Sequence, residues 1–341
     1  MRLPILVSLC LALPAAGSAP SLRGPQGQTP RGWETIDNFK GIAVREYREL
    51  HEGTDRISVI GTRTERGEAH GPEWTFWPNG TPRIKRVWAR GALEGLYQAW
   101  FKSGRLRIEG HYLADGRVGK WRRLTEAGTV ITASEYKDGQ LHGAFREYYV
   151  NGNPKSERQF SGGLQTGLET RWGKGGAVEL EGHWLAGKRH GPWKEVRRKL
   201  GSSRFEGHFE HDLREGPWIE RSMSGAKVAE GMYVKGQLEG ERTTWRTDGS
   251  LSTRASYEGG KETGPFVAWH KNGQKQMEGR KVDGRRTGPW TYWTIAGEVD
   301  ERYTGNYADD VRVEESSQGE SGALTPDGLQ LRGPRSDHQA Q

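Results

Sequence analysis

Glycine recurs along this chain at an interval that few folds accommodate. Counted on the first residue of a Gly-Pro-aromatic or related phrase, copies begin at Gly71, Gly95, Gly119, Gly143, Gly167, Gly191, Gly216, Gly240, Gly264 and Gly288, a spacing of 24 residues with one step of 25. A fixed period of this length is the mark of a quasi-one-dimensional array in which each unit packs on its neighbours. Taking the leading glycine as position zero, a second glycine stands at position nine in nine copies, often after Asn, Asp or Gly, as in Asn79-Gly80, Asn151-Gly152, Asp248-Gly249 and Asn272-Gly273. Such pairs accept positive φ at both central residues and predict a two-residue hairpin turn.

A turn at positions eight and nine pairs positions whose sum is seventeen. Position two is usually aromatic (Tyr97, Trp121, Phe145, Trp193, Trp218, Phe266, Trp290) and falls opposite position fifteen, often glycine (Gly110, Gly182, Gly231, Gly279). Position seventeen is aromatic in most copies (Trp88, Tyr112, Tyr136, Phe160, Trp184, Tyr233, Tyr257) and falls opposite the leading glycine. Large rings over bare backbone are a pairing that a half-buried sheet packs well. Parity puts these rings on one face with aliphatics at positions eleven and thirteen, among them Leu106, Ile108, Val130, Leu180 and Met277. Position five, by the same rule, points the other way among Arg, Lys and Glu, and Arg146 faces Glu157 across the hairpin. A bulge at the Gly-Pro step would alter this parity.

The fold class expected is all-β: an elongated single-layer antiparallel sheet of stacked β-hairpins of about 24 residues, roughly 95 Å long for ten hairpins at ordinary strand spacing. An apolar content of 33% alongside 50 glycines in 341 residues fits a shallow sheet rather than a compact core. The array is placed at 70–307, after an irregular cap or degenerate repeat at 33–69. Residues 308–341, first acidic and then rich in Ser, Gly and Pro, are predicted to be disordered. Short Gly-bearing connectors close the copies, including Arg90-Gly91, Asp115-Gly116, Asp138-Gly139 and Lys235-Gly236.

At the amino terminus, Arg2, an apolar run from Ile5 to Leu13 and a small-residue exit at Ala15-Ala16-Gly17 predict a signal peptide over 1–17, followed by a Pro/Gly/Gln-rich linker over 18–32. The expected product is an exported protein, periplasmic or secreted. Cys10, the only cysteine, lies inside that run, so no disulfide or thiolate chemistry is expected of the mature chain.

Nothing in the sequence reads as a reaction centre. His70, His142 and His190 immediately precede leading glycines, and His111 and His183 share position sixteen, which makes them structural by position. His208 and His211 lack a companion set of metal ligands. Glu109, Glu157, Glu181, Glu230 and Glu278 recur at position fourteen and form a surface ladder rather than a unique acid–base pair. No catalytic residue, metal or cofactor is expected. The net charge of +7 is spread rather than clustered, and no nucleic-acid module appears.

The phrase running from Gly216-Pro217-Trp218 to Tyr233-Val234-Lys235-Gly236, repeated ten times, resembles the variant MORN (membrane occupation and recognition nexus) repeat, and bacterial proteins of this kind are grouped as YwqK-family antitoxins. The resemblance implies stacked hairpins serving as a protein-binding or membrane-proximal scaffold, and the grouping implies a toxin as the bound protein. The predicted signal peptide departs from what a cytosolic antitoxin needs, and turns the expectation toward an immunity or scaffold protein of the envelope or exterior. The expected function is non-enzymatic protein binding by a monomer, with Trp100, Tyr148, Trp172, Trp245, Trp269 and Trp293 at position five as the candidate partner-binding aromatics. The alternative is a carbohydrate or cell-wall glycan binding module, because choline-binding and glucan-binding repeats also alternate rings with turns; that reading requires rings converging in exposed cages.

Overall fold

The computed structural model describes residues 36–198 and 203–313; the predicted signal peptide and linker lie outside the described residues. Every regular element among them is a β-strand. From Arg45–Leu50 to Val311–Val313 the strands pair antiparallel in sequence order, and no ladder joins those two outermost strands, so the sheet is an open meander. Residues 45–63 form a hairpin, Arg45–Leu50 with Ile57–Arg63, that pairs directly with the first glycine-led copy. At the other end the sheet continues past Tyr307 into Val311–Val313, within the stretch where composition alone predicted disorder.

The register follows the sum-of-seventeen rule. Gly95 faces Tyr112, Gly119 faces Tyr136, Gly143 faces Phe160, Gly167 faces Trp184, Gly216 faces Tyr233 and Gly240 faces Tyr257. The turn chemistry is the reverse of the expectation. At the position-nine corner only the glycine has positive φ, as at Gly128 (90°). There Gly128 N donates to Thr125 O and Thr125 N donates to Thr129 O, which describes a type I turn followed by a left-handed glycine. Asn and Asp are favoured just before that glycine for their side chains: the Oδ1 atoms of Asn79, Asn151, Asp248 and Asn272 each accept the amide two residues on. The two-residue turns are the connectors, where both residues have positive φ: Arg90-Gly91, Asp138-Gly139 and Lys235-Gly236, for example. One connector is shifted from its predicted place, to Ala114-Asp115, because Asp115 (φ 65°) takes the second turn position itself.

Bulges decide which residues share a face. Crossing the leading glycine, the pairing moves from Val118–His111 to Arg122–Glu109, a two-residue shift that leaves parity intact. A second shift falls between positions four and five, where Arg123 faces Thr132 but Leu124 faces Val130. Position thirteen therefore stays with the front face, where Leu180 packs with Trp193, Phe209 and Trp218. Position eleven does not: Leu106 and Val130 join Trp100 and Leu124 instead, which corrects the expected grouping. The copy with the extra residue, from Gly191 to Phe209, is regular throughout its described ladder.

The front face is an aromatic column bridging the copies. Trp121 contacts Tyr112 at 5.0 Å and Tyr136 at 6.2 Å, and Trp218 contacts Phe209 at 5.0 Å and Tyr233 at 6.2 Å. Each indole covers the glycine of the preceding copy rather than the one opposite it in its own hairpin. A β-carbon on Gly110, Gly182, Gly207 or Gly279 would collide with Trp121, Trp193, Trp218 or Trp290 respectively. Three of these indoles also donate from Nε1 to a carbonyl of that preceding copy: Trp121 to His111 O, Trp218 to His208 O and Trp290 to Arg280 O, at 3.1–3.2 Å. Where the ring is Phe, the residue beneath it is larger, Ser134 under Phe145 and Ala255 under Phe266. Guanidinium groups close the stack from above, Arg117 at 4.4 Å from Trp121 and Arg214 at 4.4 Å from Trp218.

Candidate partner-binding face

The six position-five rings stand on the back face in three groups, Trp100, then Tyr148 and Trp172, then Trp245, Trp269 and Trp293, separated by Leu124 and by Val196 and Arg221. Trp100 is buried, stacked on Trp74 with centroids 5.7 Å apart and packed against Leu106 and Leu124. Tyr148, Trp172, Trp245, Trp269 and Trp293 are half-buried. They sit among charges, as parity required: Lys227 lies 5.1 Å from the Trp245 ring, Arg254 5.9 Å from Trp269 and Lys275 5.7 Å from Trp293. Each of these cations is held by a carboxylate, Lys227 by Glu230, Arg254 by Glu241 and Lys275 by Glu278. Trp100 is buried and the other five rings are half-buried, so none of the six is in the exposed class.

The position-six side chains fix the column. Trp77 Nε1 donates to Trp100 O at 3.3 Å and Tyr149 Oη to Trp172 O at 2.9 Å; His270 Nε2 donates to Trp293 O at 2.8 Å, and Arg246 bonds Trp269 O. Four unlike side chains thus serve the same carbonyl in the next copy, which ties the backbone of each ring to its neighbour. Residue-type periodicity cannot show this. At the first glycine-led hairpin Phe76 holds position five, and Trp74 and Trp77 beside it make three rings within four residues, Trp74 stacking on Phe76 and Trp100.

Along the connector edge, carboxylates bind backwards. Asp212 Oδ1 accepts both the amide (3.0 Å) and Nε (2.9 Å) of Arg189, and Asp310 does the same for Arg286. The side-chain bond from Arg189, then its amide, holds Asp212 below the usual carboxylate range. For Asp310 the Arg286 amide is the larger cause and the guanidinium the second. On the front face at the sheet's start, burial, reinforced by a 2.7 Å bond donated to Glu73, pushes the Tyr47 phenol up to about 12.

The predicted cross-strand pair forms, with Arg146 Nη2 2.7 Å from Glu157 Oε1. His70 is buried: its Nδ1 accepts the Arg90 amide at 3.0 Å, so Nε2 carries the hydrogen and donates to Phe39 O at 2.9 Å. His190, His208 and His211 come together, with ring centroids 4.9 Å apart for His190–His211 and 6.3 Å for His190–His208. No group of three or more metal-ligating side chains among the described residues has the arrangement of a metal site.

No curated protein matches the chain. Among solved structures, the crystal structure of TcdB2-TccC3-Cdc42 matches at 9% identity and a TM-score of 0.16, covering 72% of this chain and 16% of that one. The Photorhabdus luminescens Tc holotoxin pore matches at 10% identity and a TM-score of 0.18, covering 75% and 14%. Residues 141–161, the core of the hairpin led by Gly143, match the family model described as MORN repeat variant, and the same glycine register runs through the hairpins on either side.

Proposed function

We propose that the chain is a non-enzymatic scaffold that holds a protein partner on the back face of its sheet, with Trp100 as a buried support and Tyr148, Trp172, Trp245, Trp269 and Trp293 as the contact residues. The observation that carries this reading is the half-burial of those five rings, together with the carboxylate-fixed cations that flank three of them, Trp245, Trp269 and Trp293. Half-buried aromatics backed by ordered charges have the composition of an interface centre, where Trp, Tyr and Arg supply most of the binding energy. A rigid meander spreads such contacts over a long surface without an ordering cost for each. With the predicted signal peptide, the setting is the bacterial envelope or exterior. An immunity-like role against a toxin fits that setting as one form of the same binding.

The test is capture from the native envelope by the full chain, compared with a Trp172→Ala/Trp245→Ala/Trp269→Ala variant whose melting is first shown to remain cooperative. A stoichiometric protein held by the parent and released by the variant supports the proposal. Retention on peptidoglycan with no protein companion would replace it by the cell-wall glycan reading.

A further inference from the structure

At the loop end of the first two glycine-led copies, the cation-over-indole arrangement of the back face occurs in a different electrostatic state. Trp77 lies between two cations from successive copies, with Arg83 Cζ 4.9 Å and Lys102 Nζ 5.4 Å from its ring. Lys85 Nζ lies 4.9 Å from the ring of Trp74, which in turn stacks on Trp100. The pieces are contiguous, because Trp77 Nε1 bonds Trp100 O, and Asn79 and Thr81 both bond the Lys102 carbonyl. Arg83 and Lys102 are exposed and Lys85 is half-buried.

Farther along the sheet, the cations that lie over the position-five indoles each have their own glutamate: Lys227 has Glu230, Arg254 has Glu241 and Lys275 has Glu278. Among the described residues no carboxylate forms a salt bridge with Arg83, Lys85 or Lys102; the nearby ion pairs of the array's start use Arg86–Glu73 and Lys40–Glu94. Three cations are thus held in place by rings, and the negative groups that complete the motif elsewhere are missing. We infer that this corner binds an acidic segment of a protein partner, whose carboxylates pair with Arg83, Lys85 and Lys102 as Glu230, Glu241 and Glu278 pair with the ring-bound cations of the later copies. This deepens the scaffold reading and rests on it.

A nucleic acid fits less well. Stacked bases need open ring faces, whereas the ring faces here carry cations or, in Trp100, are buried. Three cations at one corner also make a short anchor, not the extended track that a phosphate backbone follows. A run of a few carboxylates matches that reach, and it would bind with the steep salt dependence of exposed charges.

The test uses the full chain and a fluorescent hepta-glutamate peptide, read by anisotropy at low and moderate salt, with a thymidine 20-mer as the competing probe. The expected result is saturable peptide binding that weakens at least tenfold in Arg83→Glu/Lys85→Glu/Lys102→Glu and changes less than twofold in Lys227→Glu/Arg254→Glu/Lys275→Glu. Should the first triple variant fail to melt cooperatively, Arg83→Gln/Lys102→Gln replaces it, with a threefold or greater loss expected. Equal losses in both sets would reduce the effect to general basicity and overturn the assignment. Absence of peptide binding would also overturn it, as would preference for the thymidine strand. If the peptide does not bind but the envelope partner is still captured through the later rings, only the acidic-segment inference falls. If no partner is captured at all, the scaffold reading falls with it.

Discussion

The Trp121 indole lies directly over the backbone of Gly110, a residue of the preceding copy, and donates from Nε1 to the next carbonyl, His111 O, at 3.2 Å. This contact joins one hairpin to the one before it. It recurs at Trp193 over Gly182, Trp218 over Gly207 and Trp290 over Gly279, while the smaller Phe145 and Phe266 stand over Ser134 and Ala255.

Ring size and the residue beneath it are therefore matched, and the match is testable as a cycle. Gly110→Ala is expected to destabilise by about 1–3 kcal/mol, the cost of forcing a methyl into a packed site. Trp121→Phe alone leaves a gap and also costs stability. The double variant reproduces the Ala255–Phe266 arrangement and is expected to recover a large part of the sum, giving a coupling energy of about 1 kcal/mol or more in urea titrations. Strict additivity would show that the indole does not rest on that glycine.

Asp212 and Asp310 give the connector edge an acid-sensitive component. Both carboxyls are held below their unfolded value, so the folded state binds a proton less readily than the unfolded chain. Their contribution is fully present above the unfolded pKa of about 4 and is lost as pH falls through the lower folded value. Melting curves of Asp212→Asn/Asp310→Asn should lie below the parent at neutral pH and converge with it in acid. A constant offset down to the lowest pH would contradict the assignment.

His70 closes the junction between the amino-terminal segment and the array. Replacing it with Ala leaves the Arg90 amide and the Phe39 carbonyl without their partner in a partly buried setting and opens a gap where the buried ring stood, and the expected cost is about 1–3 kcal/mol. Hydrogen exchange at the Arg90 amide should accelerate well beyond that at Lys235, whose amide donates instead to Glu215.

Tyr47 supplies a probe at the opposite pH extreme. Its phenol, raised to about 12 by burial and by the bond to Glu73, favours the folded state below the ordinary tyrosine value of about 10 and loses that contribution as pH rises toward 12. Glu73→Gln should bring the last tyrosinate absorbance step to lower pH; an unchanged titration would show that Glu73 has no part in it.

The period, the strand class, the register and the front-face rings were all legible in the sequence, because a two-residue alternation and a fixed repeat leave little freedom to the pairing. The turn chemistry was not. Asn79-Gly80 and Asp138-Gly139 look alike as dipeptides, yet only the second has positive φ at both residues; the first is a type I corner in which Asn79 caps the amide of Thr81. The back-face column was legible in its positions but not in its state. The bulges between Ala99 and Trp100 and between Arg123 and Leu124 bring Leu106 and Val130 to that column, and one-residue shifts of this kind leave no trace in composition. The contrast between Lys227, which has its glutamate, and Lys102, which has none among the described residues, depends on side-chain reach.

The ladder led by Gly191 pairs evenly from Gly191–Phe209 to Arg197–Ser203, whereas its neighbours, one residue shorter, each slip once near the loop end. Chain length at that corner is thus traded against the slip, while the glycine-and-indole junctions on either side keep their form. Loop-end insertions are the changes that drift can explore at least cost, and the surface of this protein can diversify at one margin while its spine stays constant.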